Sequence, residues 1–335
     1  MEPYLAVCIQ PSIRQSHNRT EVKENINRNS SFLGKLVYSY KRRQPAWING
    51  TVKLVTYPEY AFSDWRQLFL REINPIDIAV SIPGEETDLL AKQAVENDIY
   101  IAAQIIEYDD RFPGHFFNAG FIIDPNGKII YKRHKLRYLY LTLYTSPNDV
   151  FDQYMQLFAQ GMSVGETVFP VAKTEIGNIG IAIAQEIQTP EIGRQLVANG
   201  AEIIVHITNE PQALVGDADP WFILDRAWAI ENRVYIVAPS AGPGEELRIT
   251  SDIGTSRIID YYGRVLAESA GTVETTIGSL IDIETLRKVR KPGLPLYTPA
   301  VFDYYKKGSI PSNMFKNGVP TREELEKRYQ ELGFI

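Results

Sequence analysis

Residues 179–191 read IGIAIAQEIQTPE. The apolar run from Ile179 to Ala184 stops at Gln185 and Glu186, and Pro190 and Glu191 then open a helical pattern, PEIGRQLVANG. A strand that ends in polar residues and gives way to a helix is where α/β proteins usually place their chemistry. Here the turning point is Ala184, whose methyl group carries no reactive function. The chain has one cysteine, Cys8, inside the apolar run YLAVCIQ. It reads as a buried small hydrophobe rather than a nucleophile. With one cysteine no disulfide can form within the chain, and no CxxC or Cys/His zinc pattern exists. The four histidines, His17, His115, His134 and His206, lack ligand spacing.

Such a corner needs a large scaffold to hold it. The 335 residues are 44% hydrophobic and 23% charged, enough for one large domain or two. A net charge of −6 argues against a nucleic-acid footprint, which needs clustered Lys and Arg. The basic run YKRHKLR is short and reads as a solvated strand end. No apolar run approaches the ~20 residues of a membrane span. The start, MEPYLAVCIQPS, does not read as a signal peptide. The expectation is a cytoplasmic protein with neither nucleic acid nor membrane as partner.

Short β-rich runs predict strands at 4–10, 52–59, 76–82, 99–108, 116–124, 128–135, 179–184, 201–207, 234–240, 256–260 and 275–282. Several are near-continuous Val, Ile and Ala, as in strands covered on both faces. Helical patterns fall at 86–98, 190–200 and 221–233, the second with Pro190 at its start and Gly200 at its stop. DPNGK and DYYGR join strand pairs as hairpins. These elements predict one layered α/β domain over 1–290, without internal repeat. Residues 291–335, rich in Pro, Tyr and Gly, read as a C-terminal arm packed on the body or on another subunit. They end in the amphipathic helix TREELEKRYQELGF.

Three segments in order resemble the nitrilase superfamily of carbon–nitrogen hydrolases: VTYPEYAF, FNAGFIIDPNGKIIYKRHKL, and the corner with TPEIGRQLVANGAEIIVH. Weaker matches are RAWAIENRVYIVAPS and TSRIIDYYGRVLAE, so that the resemblance spans roughly residues 5–290. It implies a four-layer α-β-β-α sandwich, paired at least as a homodimer. It implies no metal or organic cofactor, and hydrolysis of a small amide, carbamoyl compound or nitrile. The family works with Glu, Lys and Cys. A thiolate attacks the carbon, a carboxylate moves the proton and later activates water, and an ammonium stabilises the oxyanion.

Carried onto this chain, the resemblance makes Glu59 the base. Lys135, eight residues past the turn Gly127, becomes the oxyanion donor in preference to Lys132. Ala184 falls at the position of the family cysteine. Glu186 and His134 stand behind the site, and Asp149, or Asp152, stands in for a second family glutamate. Tyr60, Trp65, Gln185, Asn209 and Trp221 are candidates for the pocket wall. Two readings of Ala184 follow. Either a cysteine has been exchanged for alanine in an ordinary hydrolase, or the alanine is natural and the chain is a non-hydrolytic branch that kept a Glu/Lys pocket.

Overall fold

The computed structural model describes residues 2–43, 50–64, 68, 71–136, 144–209, 219–244, 255–271, 273–290, 323 and 327. Trp65 and the arm after residue 290, apart from those two positions, lie outside the described residues. So does most of the terminal helix expected there.

Two six-stranded mixed sheets stack face to face. The first runs in the order β12-β1-β2-β3-β4-β5. Its strands are β1 (Tyr4–Gln10), β2 (Val52–Thr56), β3 (Tyr100–Tyr108), β4 (Phe116–Ile123), β5 (Ile129–His134) and β12 (Thr275–Ile281). The second runs β11-β10-β9-β8-β7-β6. It comprises β6 (Ala172–Thr174), β7 (Gly177–Ile183), β8 (Ile203–Ile207), β9 (Tyr235–Ala238), β10 (Arg257–Ile259) and β11 (Val265–Glu268).

Both sheets repeat one plan. Three strands run parallel, β1-β2-β3 or β7-β8-β9, followed by an antiparallel pair, β4-β5 or β10-β11. An antiparallel strand, β12 or β6, covers the other edge. The sequence carries no corresponding repeat.

Helices close both outer faces. On the first sheet lie α1 (Arg19–Arg43), α2 (Pro75–Ile78) and α3 (Glu85–Asn97). On the second lie α6 (Pro190–Ala198) and α7 (Pro220–Asn232), while α4 (Phe151–Phe158), α5 (Val164–Val168) and α8 (Ile283–Arg290) complete the set. The architecture is therefore the α-β-β-α sandwich. Alternation along β1 divides its side chains: Leu5, Val7 and Ile9 join the helix-side cluster, and Tyr4, Ala6 and Cys8 the cluster between the sheets. Where β4 crosses β7, Gly120 permits close approach. A Cβ there would meet Ile181 Cγ2 at 3.0 Å.

One sequence expectation is corrected. Residues 76–82 are not a strand. Asn74 caps α2 in a box with Asp77 and Pro75 sits in the first turn, while only Val80 bridges to Glu107. The apolar pattern does not signal the long helix α1, because its 25 residues are largely polar. Among its described side chains, Val22, Ile26, Leu33 and Val37 are the buried apolar ones. Among the described residues, no helix is long and apolar enough to cross a membrane.

Candidate functional site

Glu59 follows β2 by three residues. Its N–H donates to the Thr208 carbonyl just past β8 at 3.3 Å, so this loop bridges the two sheets. Lys135 is the first residue beyond β5, and its N–H continues the ladder onto the Asn118 carbonyl at 2.8 Å. The two side chains meet: Lys135 Nζ donates to Glu59 Oε1 at 2.8 Å, and each residue is 3% exposed. Asn118 Nδ2 donates to the same oxygen at 2.7 Å. Lys135 Nζ also reaches Gln185 Oε1 at 3.2 Å and lies 5.3 Å from the Tyr144 ring centroid.

Burial alone would depress the Lys135 ammonium. The Glu59 carboxylate more than reverses that, with Tyr144 and Glu186 adding to it, and holds the lysine charged above its ordinary range. Such a pair is a fixed carboxylate beside a fixed cation, able to accept a proton on one side and polarise a carbonyl or nitrile on the other.

The third element is the corner after β7. Ala184 opens a 3₁₀ turn, Ala184–Gln188, and is 1% exposed. Its φ is +49°, a left-handed conformation that costs a non-glycine residue about 1–2 kcal/mol. The surroundings hold it there. His206 Nε2 lies 2.9 Å from the Ala184 carbonyl, and His206 Nδ1 lies 2.8 Å from Asp225 Oδ1 on α7. Glu186 binds Arg133 through both oxygens at 2.5 and 2.8 Å. It also accepts the N–H of Ile183 at 2.8 Å and of Leu136 at 2.7 Å. One carboxylate thus ties the residue before Ala184 to the residue after Lys135.

The remaining candidates divide. Gln185 touches Lys135, as described. Tyr60 is buried beside Glu59 with φ +56°, its N–H donating to Gln104 Oε1 at 2.7 Å. Burial first, then the Glu59 charge, keeps its hydroxyl protonated. Asn209, 4% exposed, has no partner among the described residues for either side-chain amide atom. Trp221 packs with its ring 5.9 Å from that of His206.

His134 lies elsewhere. Adjacent strand residues face opposite ways, and His134 pairs with Glu107 at 2.6 Å and stacks on Phe117. Lys132 shares that face, 2.5 Å from Glu107. Asp149 caps its own turn, accepting the Ser146 N–H at 2.7 Å. Sequence reasoning did not find Asn118, Arg133 or the His206–Asp225 pair as parts of the site. Asn118 and Arg133 lie inside stretches already singled out, but their partners are cross-strand and cross-sheet.

Comparison with known proteins bears on the family and the fold. The carbon-nitrogen hydrolase family model matches residues 6–291. The omega-amidase NIT2 of Xenopus tropicalis is 28% identical over 231 residues, 68% of this chain and 78% of that protein. Human omega-amidase NIT2 is 26% identical over 255 residues, covering 76% and 84%. Among solved structures, the carbon-nitrogen hydrolase from Helicobacter pylori G27 superposes with a TM-score of 0.68 at 18% identity, covering 90% of this chain and 97% of that one. Saccharomyces cerevisiae Nit3, of the nitrilase superfamily, gives 0.63 at 21% identity, covering 89% and 97%.

Proposed function

We propose, from the premise that the chain belongs to the carbon-nitrogen hydrolase family, that its pocket takes a small amide or carbamoyl compound, with nitriles as a second class. Glu59 is the proton acceptor and Lys135 the group that polarises the substrate oxygen. The observation that carries this reading is the buried contact of Lys135 with both Glu59 and Gln185, one residue from the Ala184 corner. The amidase names of the relatives support ranking amides above nitriles.

Ala184 stands where a thiol would attack. The only cysteine, Cys8, is fully buried in β1 with its thiol pushed up to about 12 by burial, so it is no substitute. The chain as written therefore binds its ligand without forming an acyl-thioester. Assembly as at least a dimer belongs to the same reading. It is supported by the exposed Ile223 and Ile230 on the outer face of α7.

The test is a panel of short amides, carbamoyl compounds and nitriles, followed by calorimetry for binding and by intact mass for covalent adducts. Binding that is lost in Glu59→Gln and Lys135→Met, with no adduct, is the expected result. In Ala184→Cys, an acyl adduct or turnover would mark a pocket still shaped for thiol chemistry. Its absence would mark a binding branch. A covalent adduct with Ala184 in place overturns the proposal.

A further inference from the structure

We propose that His206 and Asp225 are the positioning pair of the residue-184 corner, and that the pair works with both ring nitrogens of His206 protonated. The argument is one of donors and acceptors. The Ala184 carbonyl can only accept, so His206 Nε2, 2.9 Å away, must carry a proton. His206 Nδ1 faces Asp225 Oδ1 at 2.8 Å, and Asp225 as an ionised carboxylate, which is part of the proposal, can only accept. A neutral ring has one proton for these two places. Whichever nitrogen lost it would turn a lone pair toward an oxygen at hydrogen-bond distance, inside a site where His206 is 0% and Asp225 1% exposed.

Among the described residues, the groups around the ring favour the charged form. From α7 come Asp225 and the Trp221 ring. From the 3₁₀ turn comes the Ala184 carbonyl, while Glu186 of that turn is committed to Arg133. On neighbouring β7 the residue in register is Ala182, which has no charge. The imidazolium thus connects α7 to the backbone of a residue held at positive φ. Gln185, the next residue, is the one that reaches Lys135. This inference rests on the reading that the corner walls the ligand pocket, but its test needs no ligand.

The test is nitrogen-15 NMR of the full chain labelled at its four histidines. The His206 signals are assigned by their loss in His206→Asn and, should that variant not fold, by their change in Asp225→Asn. The expected result is two protonated ring nitrogens for His206 at pH 7.5. In Asp225→Asn the amide can donate to Nδ1 while Nε2 still serves the Ala184 carbonyl, so a single ring proton, on Nε2, is expected in a folded protein. A merely space-filling histidine would show one proton in both proteins. One ring proton in the parent chain, or two retained in Asp225→Asn, overturns the proposal.

Discussion

Glu186 and Arg133 form a bidentate pair of enclosed side chains, 1% and 0% exposed. The partners belong to different sheets, and the contact lies between the backbones that carry Lys135 and Ala184. Arg133 adds bonds to the carbonyls of Val168 and Ile181 at 3.1 and 3.3 Å. Removing one member leaves the other charged and enclosed, at a cost of about 3–5 kcal/mol.

The two deletions should not cost the same. Glu186→Gln leaves a buried guanidinium without an anion and removes one acceptor from the N–H groups of Ile183 and Leu136. Arg133→Met leaves a carboxylate that those two N–H groups still serve. Urea denaturation is expected to place Glu186→Gln near the upper end of that range and Arg133→Met below it. The reverse order would mean that the backbone bonds contribute little.

The corner at Ala184 allows a test of strain. Ala184→Gly relieves the positive φ but gives back about 0.4–1 kcal/mol through the freer unfolded chain. The net change in stability is expected within about 1 kcal/mol of zero. Ala184→Val increases the strain, because a branched side chain tolerates positive φ less well than a methyl, and its extra carbons crowd an enclosed position, adding about 1–3 kcal/mol. Thermal melts of both variants should separate them by several degrees.

Cys8 provides a probe of the core. Burial raises its thiol to about 12, so at pH 8.5 almost no thiolate forms and none is accessible. Iodoacetamide is expected to leave the native protein unlabelled over hours and to label it once, rapidly, in denaturant. Native labelling at a rate near that of a free thiol would show β1 opening locally.

On the outer face of β5, burial pushes the Glu107 carboxyl up, but His134 and Lys132 outweigh it and hold it below its ordinary range. A group depressed in the folded state contributes stability that is present above its unfolded value. That stability is lost as pH falls through the folded one. Unfolding free energy should therefore decline on acidification below about pH 4.3, and the decline should be shallower in Glu107→Gln. Equal slopes in the two proteins would remove Glu107 from the account.

Much of the sandwich is legible from the chain because its central strands are continuous apolar runs. IGIAIA and AEIIVHI admit few other readings. Residues 76–82 mislead because Ile76, Ile78, Val80 and Ile82 alternate like a strand, although Ile76 proves 46% exposed. The cap signal at Asn74 and Pro75 outweighs the alternation. Glu59 and Lys135 are legible as strand-end residues in a recognisable order. Their support is not: Asn118, Arg133 and Asp225 reach partners 59, 53 and 19 residues away in sequence. No local periodicity encodes such contacts.

The duplicated strand plan gives the proposed pocket a divided origin. Glu59, Asn118 and Lys135 come from the stretch that supplies five strands of the first sheet, and Ala184, Gln185, Glu186 and His206 from the later stretch, which builds the second sheet and sends β12 back to the edge of the first. Neither half holds a complete site. The bond from Glu59 N to Thr208 O and the Arg133–Glu186 pair are seams between the halves. On the function proposed above, a ligand gripping residues from both acts as a third seam. Its binding energy is then also docking energy, and occupancy of the pocket reports whether the two halves have come together.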